Sequence, residues 1–341
     1  MAKTALVTGG TGYIGGEIID QLLAKGWTVH TTVRSKAKSE QRLRDRWPEA
    51  GDRLKIYEAD LEDDAGWAEA NAGCDGVAHV ASPLPLAVPD DEDELIVPAR
   101  EGTLRALRFA KEAGVTRFVQ TSSVAAIAYG HDESRTEFDE SDWTRIETPG
   151  VAPYPKSKTI AERAARDWVA AHAPDMEFCS VNPTGVFGPV FNDDLSTSIE
   201  LIKRLIDGSM PMIPEMGIGV VDVRDVAKIH VLALEAPAEK VRGERFAAAN
   251  GFMWTREMAE VLRARIGEKA RKVPKRKMPY IMVAILALFM PAMQQIKSNI
   301  GKKRVTSGRH AAETLGFEYI PAEQTIVDTA ESLIEQGVVK V

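Results

Sequence analysis

With 341 residues, 44% of them hydrophobic and 27% charged, the chain can bury a sizeable core and is not composed like a disordered protein. A formal net charge of -7 gives no electrostatic reason to expect nucleic acid as a partner. Cys74 and Cys179 are too few and too far apart for a disulfide framework or a zinc site, and the six histidines are scattered. No metal is expected. A reducing, cytoplasmic compartment fits, since the first strand pattern starts almost at once and no leader pattern precedes it.

The first apolar run, Thr4–Thr8, leads directly into Gly9-Gly10-Thr11-Gly12-Tyr13-Ile14-Gly15. Ile14, Ile18 and Leu22 then recur every four residues, which predicts a helix with one buried face. The loop therefore lies where a strand ends and a helix begins. Unpartnered N–H groups and the helix dipole favour an anion there, and glycine clears the approach for a diphosphate. Gly9, Thr11, Gly12, Tyr13, Ile14 and Gly15 are the candidate contacts with a dinucleotide. The second strand, Thr28–Val33, ends in Arg34 rather than in the carboxylate that would hold the ribose of NAD. Arg34 and Lys38, with Lys36 nearby, offer cations to a 2′-phosphate, which points to NADP.

The third strand, Leu54–Tyr57, is followed by Asp60-Leu61, where a side chain could meet adenine or merely cap a helix. The fourth, Val77–Ala81, carries His79 and leads to Ser82, so His79, Ala81 and Ser82 lie at a strand end within reach of a cofactor; His79 equally fits a core role. A helical pattern over Glu94–Ala113 precedes the fifth strand, Phe118–Thr121, after which come Ser122 and Ser123. Tyr154 and Lys158 are four residues apart on a further helix and project from one face. A cation beside a phenol lowers its pKa toward useful acid–base chemistry, and Ser123 can hydrogen-bond the same carbonyl oxygen. The sixth strand, Glu177–Val181, leads to Asn182-Pro183. Strands alternating with helices predict an α/β fold, a Rossmann-type doubly wound parallel sheet. Residues 1–182 form the dinucleotide domain, with returns to the main sheet near 218–235 and 244–250, in particular at Val220–Val223 and Phe246–Ala248. Residues 183–341 form a smaller, discontinuous and mainly C-terminal substrate domain.

Met278 to Met293 is almost wholly apolar and follows Arg271, Lys272, Lys275, Arg276 and Lys277. It is too short, and too interrupted by Pro279 and Pro291, to span a bilayer. A buried helix, a wall of the substrate pocket and a peripheral contact of 271–293 with an anionic membrane all fit this pattern.

TGGTGYIG, TSS at the fifth strand, YPKSK, VNPTGVFGP, the VDVRDVAKIHVLALE segment and LGFEY together resemble an extended short-chain dehydrogenase/reductase. Within that superfamily the chain is similar to the branch of dihydroflavonol reductases, cinnamoyl-CoA reductases and microbial aldehyde and ketone reductases. The resemblance implies Ser123 as stabiliser of the carbonyl oxygen, Tyr154 as general acid and Lys158 as ribose anchor and modulator of Tyr154. It implies that Pro183, Val186 and their neighbours line the nicotinamide, and that Val33, Arg34, Ser35 and Lys38 read the 2′-phosphate. NADP(H) is the implied cofactor, a small carbonyl compound the implied substrate, and a monomer or homodimer the implied state. Ala128 stands where flavonoid reductases carry Asn, and Gly150-Val151-Ala152-Pro153 replaces the stretch cinnamoyl-CoA reductases show before the tyrosine, which argues against both substrates. Pro83, Leu84, Trp143, Phe187, Met212 and Met216 are candidate walls of an apolar pocket. The competing readings are a nucleotide-sugar epimerase, a hydroxysteroid-type dehydrogenase and a non-catalytic dinucleotide-binding regulator.

Overall fold

The computed structural model describes residues 3–83, 91–191, 195–287 and 299–340. Its strands are β1 (Thr4–Thr8), β2 (Thr28–Val33), β3 (Leu54–Glu58), β4 (Gly76–His79), β5 (Arg117–Thr121), β6 (Glu137–Phe138), β7 (Glu177–Pro183), β8 (Gly185–Phe187), β9 (Gly217–Asp222), β10 (Arg245–Ala248), β11 (Phe252–Trp254) and β12 (Val305–Thr306). Its helices are α1 (Tyr13–Ala24), α2 (Lys36–Arg46), α3 (Trp67–Asn71), α4 (Asp93–Glu112), α5 (Pro153–His172), α6 (Thr197–Asp207), α7 (Val223–Glu235), α8 (Thr255–Arg265), α9 (Tyr280–Leu286), α10 (Arg309–Leu315) and α11 (Ala322–Glu335).

The main sheet is seven-stranded, in the order β10-β7-β5-β4-β1-β2-β3, and every pairing in it is parallel. Parallel strands need crossover helices, so both faces are covered and the strands inside the sheet are buried along nearly their whole length. One face packs on α1 and α7 through Ile18, Leu22, Val226 and Ile229. The other packs on α4 and α5 through Leu107, Phe118, Ala165 and Val169. Strand order reverses at β1, which has β2 on one side and β4 on the other. Ligands of open α/β sheets bind in the crevice at such a reversal, beyond the carboxyl ends of the strands.

Arg245–Ala248 joins the main sheet by pairing with β7. Val220–Val223 does not. Gly217–Asp222 lies between β8 and β11 in a separate three-stranded sheet, and Val223 opens α7, which returns to pack on the main sheet. An apolar run specifies burial but not a partner strand, and here β8 is the neighbour it meets. A separate core lies in the C-terminal half, built from Phe187, Ile202, Leu205, Met258, Leu262 and Leu333. Among the described residues no helix is long and apolar enough to cross a membrane.

Candidate active site

The glycine loop joins β1 to α1 at the strand-order reversal. Gly9 has φ +70, a conformation glycine adopts without strain, and its own absent side chain would press on Ala81 after β4. A Cβ at Gly15 would come within 2.4 Å of the Gly9 carbonyl. The turn can close only without those side chains. No side chain caps α1, so the first-turn N–H groups around Tyr13, Ile14 and Gly15 are left for an anion, with Thr11 and Gly12 beside them. The Tyr13 side chain turns away into the C-terminal core, where its hydroxyl is buried without a partner. A diphosphate therefore fits this loop through backbone groups.

Arg34 directly follows β2, and both it and Lys38 are exposed. Neither has an ion-pair partner among the described residues, whereas neighbouring Lys36 pairs with Glu40 at 3.8 Å. One carboxylate at this corner was not legible in the sequence. Glu58 ends β3 in register with Val33 and accepts the Lys36 N–H at 2.7 Å. Asp60 turns its carboxylate to the Glu62 N–H at 3.0 Å, and Leu61 packs against Gly102 of α4.

His79 ends β4, and Ala81 and Ser82 lie just beyond it. Thr8 Oγ1 accepts the N–H groups of Val80 and Ala81, each at 2.9 Å, which leaves its own hydrogen for His79 Nδ1 at 3.1 Å. His79 is buried and its other ring nitrogen lacks a partner; burial and then the Lys158 charge push its pKa down to about 3, so it is neutral.

Ser123, Tyr154 and Lys158 come together above β5 and β7. The Lys158 ammonium lies 5.7 Å from the centre of the Tyr154 ring and donates to Ser82 Oγ at 3.0 Å. Burial lowers the Lys158 pKa to about 8, with Glu162 opposing the shift. Burial raises the Tyr154 phenol above its ordinary value, and a hydrogen bond with Ser123 pulls it back. The lysine was expected to lower the phenol. Desolvation wins instead, because the ammonium is turned toward Ser82, and Tyr154 is held protonated. Ser123 Oγ accepts the Ala125 N–H at 3.1 Å and lies 3.5 Å from the Pro183 carbonyl. Val186 is half-buried on β8, just beyond Pro183.

Behind this trio stands a network that sequence reasoning missed. Glu162 is fully buried one helical turn beyond Lys158. Its carboxylate accepts from Ser122 Oγ at 2.6 Å, Asn182 Nδ2 at 2.8 Å, Ser180 Oγ at 2.9 Å and Arg245 Nε at 2.6 Å. Asn182 also donates to the Ser123 carbonyl at 3.2 Å. Burial alone would raise the Glu162 pKa, but Arg245, then Arg166 and Ser122, outweigh it and hold the carboxyl below its ordinary range. The four-residue spacing from Tyr154 through Lys158 to Glu162 was the one available signal.

A model of the NAD dependent epimerase/dehydratase family matches residues 5–249. The chain belongs to that family. It is 32% identical to the cinnamoyl-CoA reductase CAD2 of Medicago truncatula over 98% of this chain and 97% of that one. It is 36% identical to an anthocyanidin reductase of Vitis vinifera over 68% of this chain and 73% of that one. Among solved structures it resembles the yeast methylglyoxal/isovaleraldehyde reductase Gre2 complexed with NADPH, with a TM-score of 0.80 and 25% identity, covering 98% of this chain and 100% of that one. The epimerase/dehydratase family member described here is thus an oxidoreductase with a nicotinamide-dinucleotide site.

The suggested pocket walls fare unevenly. Phe187 is fully buried in the C-terminal core, and the Trp143 ring is half-buried against the Arg245 guanidinium at 3.7 Å. Pro83, Met212 and Met216 are half-buried, and Leu84 lies outside the described residues.

Proposed function

We propose that this chain is an NADPH-dependent reductase of aldehydes or ketones, with Ser123, Tyr154 and Lys158 as its catalytic residues. One observation carries the reading: a buried, protonated Tyr154 with Ser123 near its phenol and the Lys158 ammonium beside its ring stands at the carboxyl edge of a dinucleotide-type sheet. NADPH supplies the hydride when bound. Tyr154 donates its proton to the carbonyl oxygen, and Ser123 hydrogen-bonds that oxygen as negative charge grows on it. Lys158 holds the ribose and offers positive charge to the phenolate that Tyr154 becomes. Arg34 and Lys38 bind the 2′-phosphate, a role supported by their exposure and their lack of ion-pair partners among the described residues. The NADPH complex of Gre2 and the aldehydes in that protein's name support both cofactor and substrate class.

The test is NADPH oxidation by the purified chain against aldehydes, ketones, diketones and nucleotide sugars. Stoichiometric alcohol from simple carbonyl compounds is expected. Epimerised nucleotide sugar formed without net NADPH oxidation, and no turnover of simple carbonyl compounds, would overturn the reading in favour of an epimerase.

A further inference from the structure

Helix α9 has no charged side chain and, apart from the Tyr280 hydroxyl, no polar one. One side is anchored. The Met278 N–H donates to the Ile213 carbonyl at 2.8 Å, and Val283 and Ala287 are buried. The other side faces water: Tyr280, Ile281 and Ile285 are 58%, 68% and 52% exposed, while no other large hydrophobic residue described exceeds 39%. A water-facing helix ordinarily has a polar outer face, and this one has none. The sequence pattern alone had allowed α9 to be a buried helix; the outward isoleucines exclude full burial.

The sequence on either side of this helix carries charge of one sign. From Lys269 through Arg309 the sequence holds eleven lysines and arginines and no aspartate or glutamate, in a chain whose net charge is -7. Arg271, Lys272, Lys275, Arg276 and Lys277, immediately before α9, are all exposed. Lys277 pairs with Glu215 at 2.5 Å and Lys272 donates to the Lys340 carbonyl at 2.9 Å. Arg271, Lys275 and Arg276 have no carboxylate partner among the described residues.

An occupant of this face must satisfy both the cations and the isoleucines. A second copy meeting it through a two-fold axis would bring the same positive run against itself. A nucleic acid would take the cations and leave the isoleucines in water. An anionic bilayer surface offers phosphates to the one and acyl chains to the other. We propose that α9 and the basic segment before it dock the protein on an anionic membrane surface, with Tyr280, Ile281 and Ile285 inserted at the headgroup boundary. The inference concerns a face outside the proposed catalytic trio and does not rest on the reductase reading.

The experiment is co-sedimentation of the purified full chain with phosphatidylcholine vesicles and with vesicles that also contain phosphatidylglycerol. Binding about tenfold or more tighter to the anionic vesicles is expected, and it should weaken as salt rises from about 0.05 to about 0.5 M. Ile281→Glu with Ile285→Glu should reduce that binding about tenfold or more while the thermal unfolding midpoint and NADPH affinity stay unchanged. Lys275→Ala with Arg276→Ala, at exposed positions, provides a second variant with the same expected direction. Absence of binding to either vesicle at low salt, equal binding to both, or glutamate and alanine variants that bind like the parent would each overturn the proposal. So would a glutamate variant that turns an oligomer into a monomer in a chain that ignores vesicles, which would make the face a contact between copies. Binding of a DNA oligonucleotide without vesicle binding would overturn it as well.

Discussion

The two ends of the proposed cofactor groove are built in opposite ways. Around Ser123 and Lys158 the polar groups are buried and tied to one another: Glu162 receives hydrogen bonds from β7, β10, α5 and the turn after β5. At the far end Arg34 and Lys38 stand in solvent. A reacting centre must be held within a fraction of an ångström, and a buried network with every member satisfied does that. A phosphate needs only positive charge within reach, and flexible exposed cations supply it at little folding cost. The lesson is that damage should spread differently from the two ends. It should reach stability and rate together at the first and affinity alone at the second.

Arg245→Ala puts the first half of this comparison at risk. It leaves the Glu162 carboxylate buried without its main cation, and loss of about 3–5 kcal/mol of stability is expected, read as a lower urea midpoint. A loss under about 1 kcal/mol, the range of exposed pairs, would mean that the network is not the brace it resembles. The same network has a pH signature. Glu162 is held below its ordinary pKa, so its contribution is present above the unfolded value and lost as pH falls through the folded one. Glu162→Gln should flatten that acid limb of the stability curve.

Arg34→Ala tests the other end. NADPH binding should weaken by about tenfold to a hundredfold, the worth of a charged hydrogen bond, with NADH binding and urea midpoint unchanged. Equal loss for both cofactors would place Arg34 elsewhere than at the 2′-phosphate. A milder effect concerns pH and activity. Because burial brings Lys158 to about 8, the ammonium is lost as pH rises through that value, and the rate at saturating NADPH should fall over the same range. A rate flat from neutrality to about pH 9.5 would remove the Lys158 charge from the mechanism.

Much of the fold was legible because its signals are local. The β1 run, the glycine loop and the α1 stripe are contiguous, and so is the Tyr154 to Lys158 spacing. What escaped depends on long-range meetings. Glu162 and Arg245 are far apart in sequence, and only the pairing of β10 with β7 brings them together. Val220–Val223 reads as a buried strand, but its composition cannot say which sheet receives it. Glu58 was invisible for the same reason, since its place beside Arg34 follows from the β2 and β3 register. In α9 every side chain is apolar apart from the Tyr280 hydroxyl, so sequence periodicity could not show which side faces out.

Tyr154→Phe, assayed in single turnover with NADPH and a responsive aldehyde, bears most directly on the central claim. The hydroxyl that gives the proton is removed and the ring that fills the site is kept. A rate reduced by about a hundredfold to ten-thousandfold with unchanged NADPH affinity is the predicted result. A variant that still reduces the aldehyde at nearly the parent rate would contradict Tyr154 as the proton donor, and with it the role given to its neighbours.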